Sequence, residues 1–396
     1  MDWIKETKYP QLAIINFIIL TFLGFLLRFM QLYPLPGFNY QYLLHAHSHF
    51  AFAGWMFFSL AILITHSLAS VTNFRPYKTV LIFALISAFG MLVTFSLQGY
   101  KFASIAFSTL FILVTYRFAY LVLRKNALGK VSSASGKLIK GGLFYLCLSS
   151  LGPFALAPII ISGFGNTPFY QNAIYFYLHF QMNGFMLLTA LGLFASGYLT
   201  MKLDKRATVW LLLFIYSTIP LFLIFVLWTK PPSWVWIVAL SASVVNLVSW
   251  IKLGMHFKGN LKELPFLVRA SLLAITFKTV IQVVICFPMI GEWAFLNRNL
   301  IIGYVHLLTL GCVVPLILDQ FIKGNFLSGK YLLKVNWFYI AAVVLYLILL
   351  FTQPLLSLLL ILIPHYPLLL LVLSAIFLFV GVLYFLQTRP DSSVSA

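Results

Sequence analysis

Three histidines, His45, His47 and His49, lie near the start of the stretch YLLHAHSHFAFAGWMFFSLAILITH, from Tyr42 to His66. The rest of that stretch is apolar and long enough to cross a bilayer. On a helix His45 and His49 share a face, and His47 points roughly opposite. Two further histidines, His179 and His306, stand in apolar runs far along the chain. Imidazole binds zinc, copper and iron, and a haem iron takes one or two axial ligands. Two imidazoles from facing helices could clamp a haem edge-on. A bare copper, iron or zinc ion would need three or four donors at one point, and His45, His49, His179 and His306 could provide them. A proton relay is a third use of the same residues.

The elements that carry these residues follow from composition. The chain has 396 residues, is 62% hydrophobic and only 8% charged, and its mean hydropathy is +1.01. Repeated apolar runs of about 20 residues between short polar segments predict an all-α, polytopic membrane protein. Twelve spans are expected, over 11–31, 43–69, 78–98, 102–123, 139–162, 172–200, 208–229, 233–254, 266–288, 299–322, 334–352 and 355–387. They read as a single integral membrane domain over 1–396, with no soluble domain, linker or defensible sequence repeat. The last span is overlong and interrupted by Pro364-His365-Tyr366-Pro367, which predicts a turn there. The first span reads as an uncleaved signal-anchor.

The formal charge of +19 does not imply nucleic acid, because the basic residues sit in alternate connections. Arg75 and Lys78 lie between spans 2 and 3, and Arg124, Lys125, Lys130, Lys137 and Lys140 between 4 and 5. Lys202, Lys205 and Arg206 follow between 6 and 7, Lys252, Lys258 and Lys262 between 8 and 9, and Lys323, Lys330 and Lys334 between 10 and 11. This asymmetry predicts cytoplasmic termini, in a bacterial inner membrane. Even-numbered spans then start at the outer face, and His49, His179 and His306 each lie about six or seven residues in, roughly 10 Å deep. A lone histidine in a span is often a packed core residue bonded to a backbone carbonyl. Agreement in depth across three spans favours a shared site. His66, His256 and His365 read as interfacial.

Polar companions in the spans are Gln181 and Asn183 in span 6, Asn246 in span 8, and Tyr304 and Thr309 in span 10, with Lys278 and Gln282 one turn apart in span 9. Lys278 is the costliest of these, near mid-bilayer, and calls for snorkelling, pairing or a function. The lack of a carboxylate near any span centre except Asp319 weighs against an acid-driven ion transporter. Pro153, Pro158, Pro220 and Pro315 are expected to bend or open their helices, and the 163–168 connection to cover the histidine layer. Trp228, Trp234, Trp236 and Trp293 read as interfacial, and no amphipathic surface helix is evident. Cys147, Cys286 and Cys312 lie in apolar runs with no paired spacing, which argues against a disulfide framework.

Twelve spans with both termini inside and histidines near the outer ends of spans 2, 6 and 10 resemble the catalytic subunit of haem–copper oxidases and nitric oxide reductases. Leu44-His45 followed by Phe50-Ala51-Phe52-Ala53-Gly54 is similar to the span-2 segment that holds a low-spin haem ligand. His179-Phe-Gln-Met-Asn183-Gly184 is similar to the reductase pattern His-x-x-x-Glu-Gly, whose histidine binds the non-haem metal. Tyr304-Val305-His306 through Gly311 resembles the His-x-His segment whose second histidine ligates the low-spin haem. The chain also resembles the haem- and copper-containing membrane proteins of the nitric-oxide response, which share twelve spans and a His-Ala-His segment.

The departures bear on activity. Position 304 is Tyr, position 183 is Asn, and span 7 lacks the two adjacent histidines that hold copper in the family. The resemblance therefore implies a cytochrome oxidase subunit I-like bundle with b-type haem on His306 and His45 or His49, and His45 is preferred. His179, with His49, would hold any second metal: copper, iron or zinc. The implied role is electron transfer or nitric oxide or oxygen handling, with a cytochrome or respiratory-complex partner, and not conventional terminal oxidation. The alternatives are a histidine-dependent metal or proton transporter, and a non-catalytic assembly or scaffold subunit of a respiratory complex.

Overall fold

The computed structural model describes residues 8–67, 74–124, 132–198, 204–256 and 263–388. Twelve of its helices are long and apolar enough to cross a membrane: α1 (Tyr9–Phe29), α2 (Tyr40–Ser67), α3 (Arg75–Gln98), α4 (Phe102–Arg124), α5 (Ser133–Ile161), α6 (Pro168–Tyr198), α7 (Lys205–Thr229), α8 (Ser233–Met255), α9 (Phe266–Val284), α10 (Arg298–Lys323), α11 (Leu332–Ser357) and α12 (Tyr366–Phe385). The protein is an all-α, multi-pass membrane protein. Lys125, Lys130, Lys202, Lys258 and Lys262, which bear on orientation, lie outside the described residues, as does the side chain of His256.

Helix ends differ from the expected ones where a cap or a proline sets them. α2 starts at Tyr40 because Asn39 Oδ1 accepts the backbone N–H groups of Gln41 (2.9 Å) and Tyr42 (3.1 Å). α6 starts with Pro168, whose missing N–H costs nothing in a first turn. α9 stops at Val284, and a separate short helix, Pro288–Leu296, occupies the connection to α10 where no surface helix was expected. The overlong last stretch resolves into two parts. α11 continues through Pro354 to Ser357, and α12 begins only at Tyr366. The intervening turn places Leu360 and His365 at φ 59° and 52°. It is held by Ile363 N–H donating to Gln353 Oε1 at 2.9 Å.

The chain forms two compact units, Met1–Leu128 with Ile317–Ala396, and Gly129–Leu316. In the first, α1 packs along α12 and α2, α3 lies between α2 and α4, and α11 packs on α12. In the second, α5 packs on α6, α7 on α8, α8 on α9 and α9 on α10. Burial singles out the histidine-bearing helices. The most apolar stretch of α2 is 83% buried, that of α6 94% and that of α10 67%, against 28–44% for the other nine. Lipid can solvate an apolar face at no cost, so the helices withdrawn from it are the ones whose polar groups need protein partners.

Each of these three helices also changes its winding. π-helical turns, in which the hydrogen bond reaches one residue further, occupy Ala51–Phe57, Phe180–Met186 and Leu307–Val313. Each begins one or two residues after His49, His179 or His306 and encloses a glycine five residues beyond that histidine: Gly54, Gly184 or Gly311. No repeat was expected from the sequence, yet His-x4-Gly recurs every fourth span. Backbone carbonyls in two of these segments accept side-chain donors from a neighbouring helix, as carbonyls in hydrocarbon require. Asn16 Nδ2 of α1 donates to Gly54 O at 2.6 Å, and Ser271 Oγ of α9 to Cys312 O at 2.5 Å.

Gly184 has a packing reason. A Cβ there would lie 2.5 Å from Cβ of Tyr145 on α5, and Tyr145 reaches past it to donate its hydroxyl to Ile215 O of α7 at 2.7 Å. Gly184→Val therefore forces α5 and α6 apart, at an expected cost of about 1–3 kcal/mol or more. A lowered unfolding midpoint of the detergent-purified protein would register it, whereas an unchanged midpoint would show that the contact is slack.

Candidate functional site

A break in α7 sets the geometry of the second unit. Pro220 lacks an N–H and its ring clashes with the carbonyl four residues back, so the α-helix that ends at Tyr216 gives way to a short turn and then to 3₁₀ winding over Phe222–Thr229. Phe222 N–H bonds to the carbonyl of Ile219, three residues back, and Thr218 O is taken from outside the helix. Side chains of three neighbouring helices serve the opened stretch. Tyr145 of α5 bonds Ile215 O, Asn246 of α8 donates to Phe214 O at 3.3 Å and Ser217 Oγ at 2.9 Å, and His179 of α6 bonds Thr218 O through Nε2 at 2.8 Å.

That last bond fixes the tautomer of His179. Nε2 carries the proton, so Nδ1 is the acceptor, and Asn183 Nδ2 lies one turn on at 3.4 Å from it. The oxygen of the same Asn183 amide accepts from Gln282 Nε2 of α9 at 3.3 Å and from the Tyr304 hydroxyl of α10 at 3.4 Å. Gln282 Nε2 also donates to Tyr304 at 2.8 Å. Four of the residues singled out in the sequence thus form one directed hydrogen-bond chain. It runs from Tyr304 and Gln282 through Asn183 to His179 and ends on the broken helix. His179, Asn183 and Gln282 are 1–2% exposed and Tyr304 is 9% exposed.

The other companions lie off this chain. Gln181 accepts from Ser149 of α5 at 3.0 Å, and Thr309 back-bonds to Val305 O at 2.8 Å. Lys278 is 1% exposed and has no hydrogen bond or ion pair among the described residues. It sits within electrostatic reach of His179 and Cys312. Gln282 Oε1, one turn away on the same face of α9, is likewise buried without a partner. His306 bonds its own helix, with Nδ1 2.8 Å from Ile302 O. A carbonyl accepts only, so Nδ1 carries the hydrogen and the lone pair is on Nε2, the arrangement in which imidazole ligates a metal.

In the first unit His45 and His49 do share a face. It meets Phe95 near the end of α3 and Tyr100 in the connection to α4. His49 stacks on Phe95, with ring centroids 4.2 Å apart and planes 9° from parallel, and its Nε2 is 2.8 Å from the Tyr100 hydroxyl. His45 meets the edge of Tyr100 at 4.6 Å, and its ring makes no hydrogen bond among the described residues. His47 faces the other way, 3.4 Å from where a Cβ on Gly24 of α1 would lie. Tyr100, Thr218, Asn16 and Ser149 were not picked out in the sequence. Tyr100 had no visible signal, but Pro220 marked the break that recruits His179.

The donor chemistry suits the two implied cofactors unequally. An axial haem ligand needs one imidazole lone pair; the tautomer of His306 places it on Nε2, and the ring of His45 makes no hydrogen bond among the described residues. A second metal needs several donors, and both nitrogens of His179 are already spent on hydrogen bonds. Asn183 and Tyr304 bond to each other and to Gln282. Among the described residues no three of His, Cys, Asp and Glu come together to hold a metal. The second centre does not fit.

The two orphaned groups and the closed chain respond differently to substitution. Gln282→Leu strips partners from Asn183 and Tyr304 in a buried setting and should destabilise the protein by about 1–3 kcal/mol. Lys278→Met removes an amine with no partner and should leave the unfolding midpoint unchanged or raised. Thermal unfolding of both variants in one detergent checks the pair, and a larger loss for Lys278→Met would reverse the assignment.

Compared with protein-family models and with curated proteins, the chain matches none.

Proposed function

We propose that this membrane protein binds a b-type haem, with His306 as one axial ligand and His45 of α2 as the other, in a bundle of the cytochrome oxidase subunit I type. The observation that carries the reading is the hydrogen bond from His306 Nδ1 to Ile302 O, which holds the ring with its lone pair on Nε2. His45 is favoured over His49 because Tyr100 already engages His49 Nε2. The haem would supply reversible one-electron chemistry. The chain's own residues supply ligation and a fixed imidazole orientation, and Leu307 and Leu308 next to His306 are buried.

The role that follows is electron transfer, or nitric oxide or oxygen handling at one haem, beside a cytochrome or respiratory-complex partner in a bacterial inner membrane with both termini cytoplasmic. Conventional oxygen reduction is not part of the proposal, since the second metal centre is replaced by the His179–Asn183–Gln282–Tyr304 chain. A transporter reading draws on one observation, the unpaired Lys278, and predicts liposome flux that depends on Lys278 and His179 with no haem bound.

A pyridine haemochrome assay with elemental analysis of the detergent-purified protein tests this directly. About one haem per chain is expected for a single bis-histidine site, with copper and zinc substoichiometric. His306→Ala and His45→Ala should lose haem or its low-spin spectrum, while His49→Ala and His179→Ala keep it. A purified protein with no haem absorbance, or an unaltered spectrum in His306→Ala, would end the proposal.

A further inference from the structure

The second unit holds a cleft of about 370 Å³ that the haem reading does not use. Ile251 of α8 and Leu273 of α9 are 48% and 73% exposed at its mouth, and buried Phe194 of α6 and Phe214 of α7 lie at its floor. It therefore passes between α8 and α9 rather than lying along a helix surface. The polar groups in its wall are largely spent on one another: Trp250 Nε1 donates to Thr276 Oγ1 at 2.9 Å, and Thr276 Oγ1 to Leu272 O at 2.9 Å. The space would take about a dozen waters at roughly 30 Å³ each, yet offers them few hydrogen bonds. Hydrocarbon fits it better.

The cleft has a charged end. Arg269, one turn into α9, is the one charged residue in its lining among the described residues; it is exposed, and its side chain has no ion pair or hydrogen bond among them. Leu253 and Gly254, in the last turn of α8, line the cleft as well, so this end lies at the membrane interface. Lys252, also exposed, follows Ile251. An apolar slot ending in an unpaired guanidinium at headgroup level matches one molecule in shape and charge, a phospholipid whose phosphate meets the arginine.

We infer that this cleft is a binding site for an anionic glycerophospholipid, with one acyl chain inserted between α8 and α9 and its headgroup on Arg269. Such a lipid would fill the space left beside the direct contact of Phe214 on α7 with Trp250 on α8. Gly254 provides a clean probe. A Cβ on it would meet nothing within 4 Å among the described residues, so Gly254→Phe adds bulk to the cleft wall from a position with room at its base.

Native mass spectrometry of the detergent-purified full chain, titrated with phosphatidylglycerol or phosphatidylcholine, tests the site. Wild type should retain phosphatidylglycerol in preference to phosphatidylcholine. Arg269→Gln should retain it about tenfold less well, as loss of a charge-assisted contact implies, and Gly254→Phe should lose it, while Gly254→Ala and the unfolding midpoints serve as folding controls. Equal retention of the two lipids, or retention unchanged in both variants, would overturn the inference. So would extraction of an isoprenoid quinone in place of phospholipid.

Discussion

The hydrogen bond from His179 to the carbonyl of Thr218 is the constraint around which the second unit is arranged. In hydrocarbon no water is present to receive a carbonyl that a helix releases, and each such group left alone costs several kcal/mol. The 3₁₀ winding that follows Pro220 makes that release at Thr218, because Phe222 N–H bonds Ile219 O instead. The response is distributed: Tyr145, Asn246 and His179 come from three different helices to the stretch Phe214–Thr218. Gly184 has no side chain where Tyr145 must pass. α5, α6 and α8 are thus tied to one short piece of α7 by polar bonds whose alternatives in lipid are poor.

Once His179 is committed as a donor, the rest of the chain follows by elimination of acceptors and donors. Its Nδ1 can only accept, so Asn183 turns its NH2 toward it and its oxygen toward Gln282 and Tyr304. A glutamate at 183 would have brought an acceptor to Nδ1 and left that nitrogen without a donor. A histidine at 304 would have lacked the hydroxyl that both accepts from Gln282 and donates to Asn183. These side chains are therefore mutually consistent, as they must be where a half-satisfied buried network is worse than an apolar core.

The twelve spans were legible because hydropathy is summed over about 20 residues and tolerates local errors. Their ends were less so. Asn39 and Pro168 outrank the first apolar residue as helix starts, and Pro364 and Pro367 announce the turn between α11 and α12 but not its left-handed backbone at Leu360 and His365. The histidine layer was also legible, but its division of labour was not. Depth is a property of position along a helix, whereas commitment of a ring nitrogen depends on what faces it, and Tyr100 and Thr218 are remote in sequence from His49 and His179. The His-x4-Gly recurrence is a weak signal in the sequence because it fixes only two positions of six. Only the shared π-helical winding makes the coincidence meaningful.

The π turns bear on why those histidines differ in use. Inserting one residue shifts the register between the histidine and everything that follows it in the helix, so side chains on either side of the turn face different neighbours from those an α-helix would give them. Beside the same local device the two rings take opposite tautomers. At His179 the neighbour is the Thr218 carbonyl, released where Phe222 turns to 3₁₀ bonding, and the imidazole becomes a donor to protein. At His306 the neighbouring carbonyl is Ile302 O of its own helix, which takes the proton on Nδ1 and leaves Nε2 as the basic nitrogen. Whether a membrane-embedded histidine serves the backbone or a metal is then decided by which of its two nitrogens the nearest carbonyl claims and by what faces the other. A histidine signature alone cannot carry that information.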